Sequence, residues 1–455
     1  MTTSARTAEE IATTAQGPRT LPELGVQRVG AELAQAEAVL DNGLRVVAVQ
    51  SSAVPMVELR LAVPFAGTEA GHAAVAEVLA AALLAGTQRR DRLQVDTELA
   101  AVGAELSAGV DPEHLALDGS VLVEGLPVLL DVLGDVLTAA SYPDSEVDGE
   151  RDRLVERLEV ARSQPGVLAR EAMLHRCFGE HPSASEVPRA QEVAIVTAEQ
   201  VRQLHAAALV PDGSLLVIVG DVQPAQALDQ VRAALAGWTA ETTAAVLPPW
   251  PQITPAATLL VDRAGAVQSQ IRLVAQGVSR LDARYPAAQL ANLVFGGYFS
   301  SRLMENVRED KGYTYGASSG LDMSQAGAVL TVALDTSRET TAAALMETVY
   351  ELSRVVLVPP SDAEIDSARQ YAIGALSISL ATQGGLASTL VRLLPLGVQP
   401  DWVRTHPQRL AATTNDEVRT AAQELFGRAR FTGIVQCDVA VVGETLLAVG
   451  GVEKP

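Results

Sequence analysis

At 455 residues the chain is too long for one ordinary core, and its length is that of roughly three domains. It is 48% hydrophobic and 20% charged, a globular composition, and with only 4% aromatic residues its cores must be filled by aliphatic side chains. A net charge of −21 argues against nucleic acid or an anionic membrane as partner.

Cys177 and Cys437 are far apart and lack metal spacing, which fits a reducing compartment. No apolar run reaches the roughly 18 residues that a spanning helix needs. The first residues, MTTSARTAEEIATTAQ, lack the apolar core of a signal peptide, and their early glutamates argue against a mitochondrial presequence. The expectation is a soluble, cytoplasmic protein.

Residues 1–36 read as a loose, partly disordered extension. The turn Asp41-Asn42-Gly43 leads into a strand at 44–49, and a second strand is expected at 57–63. Helical patterns follow over 71–85 and 91–102, the latter ended by Gly103. Strands near 104–109 and 113–122 precede helices over 125–140, 144–163, 167–177 and 198–207, then a strand at 215–219. The second half restates this. A strand at 271–274 and a helix at 283–295 are followed by a strand at 327–335, then helices over 338–356, 361–382 and 385–394.

Two landmarks expose a duplication. Thr197 to Arg202 resembles Thr414 to Arg419, each a capping box that opens a helix. Asp221-Val222 recurs as Asp438-Val439 at the same offset, and Leu59-Arg60-Leu61 recurs as Ile271-Arg272-Leu273 at nearly that offset. The prolines of AVLPPWPQITP, residues 245–255, mark a linker. Strands before helices in each half imply an α+β fold, an antiparallel-rich sheet with helices packed on it, made twice.

The densest stretch is FGGYFSSRLMENVREDKGYTYGASSG, 295–320. Phe299, Leu303 and Val307 recur at helical spacing, Ser300 or Ser301 can cap the start, and Gly312 stops the helix before an alternating strand. A reversal at Gly312 can bring Arg308 and Tyr315 together, a guanidinium and a phenol suited to a peptide carbonyl and the oxyanion it becomes. The plain alternative is an Arg at a helix C-terminus and a packed strand Tyr.

With both halves placed, the chain resembles the M16 family of zinc peptidases, and best the short bacterial M16B members. The likeness rests on LDNGLRVV, FGEHPSASEV at 178–187, VPDGSLLVIVGDV at 210–222 and SSRLMENVREDKGYTYGASS at 300–319, where the family's Arg and Tyr fall on Arg308 and Tyr315. It implies an N-terminal domain at 37–237, a linker at 238–256, a C-terminal domain at 257–448 and a tail at 449–455. Active members carry H-x-x-E-H on a helix and a distal glutamate as third zinc ligand.

Here the corresponding stretch, GHAAVAEVLAAALLAGT at 71–87, is three residues longer than usual. Aligned from Gly71, Ala74 and Val78 replace the histidines and Glu77 survives. Aligned back from Gly86-Thr87, the ligand positions become Glu77 and Ala81, with Ala80 for the base. The distal glutamate becomes Arg157. Alanine and valine coordinate nothing, so no cofactor is expected in this chain.

The resemblance therefore implies a non-catalytic subunit of a heterodimeric peptidase. It would complete a peptide-binding chamber and lend Arg308 and Tyr315 to a zinc-bearing partner that carries H-x-x-E-H. Unfolded peptides, leader peptides among them, are the expected substrates. The alternative is a peptidase-derived scaffold subunit without a proteolytic role.

Overall fold

The computed structural model describes residues 32–240 and 242–454. Two six-stranded sheets organise them. The first has the order β1-β2-β6-β3-β5-β4, built from Gln35–Val39, Arg45–Gln50, Met56–Pro64, Glu105–Val110, His114–Leu122 and Leu215–Gly220 as β1 to β6. The second has the order β12-β7-β11-β8-β10-β9, from Thr258–Asp262, Gln268–Gln276, Thr314–Ser324, Gly327–Ser337, Thr432–Cys437 and Val452–Glu453 as β7 to β12. Five positions correspond, β2-β6-β3-β5-β4 with β7-β11-β8-β10-β9, which is the duplication seen in the sequence; the remaining edge is filled by the first strand in one sheet and by the last in the other. Most pairings are antiparallel; β2 with β6, and β7 with β11 and β12, are parallel.

Each half also supplies helices, most of which cover one face of its own sheet. In the first half they are α1 (His72–Ala82), α2 (Arg92–Ala101), α3 (Leu126–Ala139), α4 (Asp144–Ser163), α5 (Pro165–Phe178), α6 (Ala198–Ala208) and α7 (Pro224–Ala234). In the second they are α8 (Tyr285–Asn292), α9 (Thr341–Leu357), α10 (Asp362–Ser379), α11 (Gln383–Leu393), α12 (Trp402–Ala412), α13 (Asn415–Leu425) and α14 (Val439–Val449). Both expected capping boxes are made: Thr197 and Thr414 accept from the N3 backbone while Gln200 and Glu417 reach back. Pro165 sits at the first position of α5, where its missing N–H costs nothing, so it starts a helix instead of only ending one.

The opposite faces of the sheets are covered by exchange. Leu386, Ala387 and Leu390 of α11 pack on Val47, Val217 and Val219 of the first sheet. Ala169, Met173 and Phe178 around α5 pack on Val274, Val329 and Ile434 of the second. Each half thus lends a helix to the other's sheet, and neither sheet is covered on both faces by its own half. Leu390→Ala is accordingly expected to cost about 2–5 kcal/mol, read as a lower urea midpoint for the whole chain in a single transition.

Most of the expected extension 1–36 lies outside the described residues, but its end is ordered, because β1 begins at Gln35 and pairs antiparallel with β2. Among the described residues, no helix is long and apolar enough to cross a membrane.

Candidate functional site

The helix expected to run through Phe299, Leu303 and Val307 is shorter and wider than its spacing suggests. The backbone is extended at Tyr298, so Phe299 lies outside the helix and is 60% exposed, while Leu303 and Val307 are fully buried. Ser301 holds the N-cap position but makes no capping bond, and its hydroxyl is buried without a partner. After a single α-turn at Arg302–Met304, residues Glu305–Asp310 wind as a π-helix.

Asn306 holds this wide turn. Its backbone carbonyl accepts from Lys311 N at 3.1 Å, and its amide donates to Glu351 at 2.8 Å and Glu347 at 3.1 Å on α9. Such π-turns often mark functional segments. Gly312 then ends the helix at φ +65°, with its N–H on the Arg308 carbonyl at 3.0 Å and the Tyr313 N–H on Val307 at 2.9 Å. A side chain at Gly312 would be strained in that conformation.

β9 opens with a bulge. Leu334 pairs with Ala317 and Thr336 with Thr314, so Tyr315 and Gly316 together face the single residue Asp335. The Thr314 hydroxyl accepts from Gly316 N at 3.0 Å and reaches the Asp335 carbonyl at 2.6 Å. Bulges re-aim side chains, and here Tyr315 is turned out to 96% exposure. Arg308 lies across the same groove of about 500 Å³, bonded to Glu309 at 2.8 Å and 4.8 Å above the Phe299 ring. Arg308 and Tyr315, on either side of the reversal at Gly312, both line this groove. Tyr315 is not packed in a core, as an ordinary strand Tyr would be.

The other expected site lies on α1. Ala74 and Val78 are buried in the first core. Glu77 is on the partly open side of the helix, one turn from the half-buried Ala81. Burial raises the Glu77 carboxyl above the ordinary range, and the positive Arg157 of α4 pulls it back part of the way. Arg157 thus acts on Glu77 through its charge, although the two form no ion pair among the described residues, while Ala74 and Val78 are buried in the core.

Because its ionised form is disfavoured by the fold, Glu77 should weaken stability as pH rises above 4.5, the value for an unperturbed glutamate. Glu77→Gln is expected to raise the urea midpoint at pH 7, with the gain disappearing below pH 4.5, where both states carry the protonated acid.

The histidines are engaged structurally. His72 bonds the Phe65 carbonyl at 2.9 Å, and His181 bonds the Pro248 carbonyl at 2.9 Å, tying the FGEHP stretch to the linker. His205 bonds Tyr142 at 2.8 Å. Among the described residues no three His, Cys, Asp or Glu side chains stand together as a metal set. The residues at the family's zinc position, an aliphatic pair or an acid beside an arginine, do not fit the metal.

The π-turn, the bulge and the Phe299–Arg308 stack were not foreseen. Only the unusual Gly-Tyr-Thr-Tyr-Gly run gave a hint of the bulge.

Residues 47–189 match the model for insulinase, peptidase family M16, and residues 196–371 match that for the peptidase M16 inactive domain. An uncharacterized zinc protease of Streptomyces coelicolor is 27% identical over 76% of this chain and 77% of its own length. One from Mycobacterium tuberculosis is 26% identical over 88% of this chain and 92% of its own. The solved peptidase M16 inactive domain protein of Pseudomonas fluorescens superposes with a TM-score of 0.81 at 21% identity, over 89% of this chain and 97% of that one. The fold is that of a two-domain M16 protein. The chain belongs to the M16 peptidase family.

Proposed function

We propose that the chain is the non-catalytic subunit of a heterodimeric M16B zinc peptidase of the cytoplasm, acting on unfolded peptides such as leader peptides. One observation carries this reading: Tyr315 is aimed into the open beside Arg308, while the zinc position holds residues that bind no metal. A scaffold has no use for a phenol held out by a bulge, which weighs against the structural alternative.

In this reading the zinc and the attacking water belong to the partner. The Tyr315 hydroxyl donates to the scissile carbonyl oxygen as negative charge gathers on it, and Arg308 holds a neighbouring backbone carbonyl. The Arg308–Glu309 pair does not oppose this, since exposed ion pairs are worth only about 0–1 kcal/mol. A peptide in the chamber can add a strand to a sheet edge, and β4, with Glu105, Ser107 and Gly109 exposed along it, is such an edge.

The test is co-expression with an M16B chain that carries H-x-x-E-H. A one-to-one complex is expected on size-exclusion chromatography, with an interface of roughly 2,000 Å² or more and zinc only in the partner. Separate monomers at micromolar concentration, or one tightly held zinc on this chain alone, would overturn the reading.

A further inference from the structure

Tyr315 is turned outward by one extra residue in β9, and the duplicated half shows the same place without it. Arg272 of β8 donates from Nη1 to the carbonyls of Ile271 and Leu334, both at 3.0 Å. Arg60 of β3 makes the same two bonds, to Leu59 at 2.8 Å and Gly119 at 3.1 Å. Leu334 therefore corresponds to Gly119, and the next residue, Asp335, to Ser120. In the first sheet Ser120 faces Glu105 alone, in an unbroken register. In the second, Tyr315 and Gly316 share Asp335. β9 is an edge strand with glycines at 316 and 320, the kind of strand whose register slips easily. Something must pin the extra residue.

The pin is a pair of threonines. Thr314 and Thr336 stand opposite one another in the register, and both are buried. The Thr336 hydroxyl donates to the Tyr313 carbonyl at 2.7 Å, and the Thr314 hydroxyl to the Asp335 carbonyl at 2.6 Å. Each holds the carbonyl one residue before its opposite. The Thr314 oxygen also accepts from Gly316 N at 3.0 Å, across the bulge, with the Gly316 carbonyl at 2.8 Å as a second acceptor within reach. A hydroxyl has one proton and two lone pairs, so it can donate to β10 and accept from Gly316 at once. Behind it, Arg272 holds the Asp335 carboxylate at 2.7 Å. Tyr315 is the residue bracketed by these bonds. Its own hydroxyl makes none among the described residues, so the backbone on either side sets where the phenol points.

We propose that Thr314, locked by Thr336, is a positioning residue for the reaction. It holds the bulge that keeps the Tyr315 hydroxyl where the substrate carbonyl gathers charge. The inference rests on the reading of Tyr315 as the oxyanion donor.

Turnover of the reconstituted pair and backbone exchange in the chain alone test it. Thr314→Val keeps the side-chain shape and removes the hydroxyl. It should lower kcat by about ten- to a hundredfold, the effect of a small misplacement, with KM within about twofold of wild type. Thr314→Ser keeps the hydroxyl and should restore turnover. Because Thr314 acts through Tyr315, its loss should vanish in the Tyr315→Phe background instead of multiplying. In the chain alone, amide exchange over residues 313–317 should quicken by about tenfold or more in Thr314→Val and return to the wild-type rate in Thr314→Ser. Should Thr314→Val fail to assemble, Thr336→Val opens the same lock from the other strand, with the same non-additivity expected. Unchanged exchange, wild-type kcat in the valine variants, or losses that multiply with that of Tyr315→Phe would each overturn the proposal and leave the reading of Tyr315 intact. Wild-type turnover in Tyr315→Phe itself would overturn both.

Discussion

Tyr315→Phe is expected to cut the turnover of the reconstituted pair by about 10²–10³, the usual effect of removing one oxyanion donor. The substitution deletes only a hydroxyl from a side chain that is 96% exposed and makes no hydrogen bond among the described residues. Folding and assembly should therefore be unchanged, and the loss should fall on kcat, because the donor matters most once charge has formed on the carbonyl oxygen. Arg308→Ala should lower turnover similarly and raise KM as well, since it also removes a hold on the bound backbone. It loses the stack on Phe299 too, but that contact is at the surface. Steady-state kinetics on a peptide substrate, with assembly checked by size exclusion, decides between outcomes. Wild-type turnover in both variants would reduce the two residues to ordinary parts of a helix end and a strand.

How much of this was legible depended on whether the cause was local. The glycine stop at Gly312 and the capping boxes at Thr197 and Thr414 depend on neighbours within a few residues, and the chain shows them directly. The π-turn does not: it depends on Asn306 reaching Glu347 and Glu351 on a later helix. Helical spacing therefore assigned Phe299 to a buried stripe that it never joins. The exchange of α5 and α11 was hidden for a related reason. An apolar helix face records that it is buried, not which sheet buries it. The expected extension, 1–36, ends inside β1 because QAEAV is short and half polar, and only its pairing with β2 makes it a strand. The strands β7 and β11 are short runs whose identity comes from parallel pairing with each other across most of the second half.

Restoring zinc to this chain should be possible in one register and not in the other. The sequence left two alignments open for the H-x-x-E-H helix. The structure bears on them through exposure, because a ligand must face both the distal position and an open side. Ala74 and Val78 are buried in the first core, so Ala74→His with Val78→His would press two imidazoles into packed aliphatic surroundings. Overpacking and unpaired polar atoms would each cost about 1–3 kcal/mol, and the product should be destabilised and bind no metal. Glu77 instead is half-buried and feels the charge of Arg157, and Ala81 lies one turn further along the same helix on its partly open side. Glu77→His with Ala81→His places two imidazoles a turn apart on half-buried positions. Ala80→Glu restores the base between them, at a site that is itself only 6% exposed and so carries a packing cost of its own. Arg157→Glu replaces a cation with the third ligand. The Arg157 change matters most, since a guanidinium beside the site repels a divalent ion. The fourfold variant is expected to hold about one zinc per chain by metal analysis, and the version that keeps Arg157 much less. If instead the Ala74 and Val78 variant, combined with Arg157→Glu, folds and takes up zinc while the other does not, the register is the one counted from Gly71, and Glu77 is a surviving base rather than a replaced ligand.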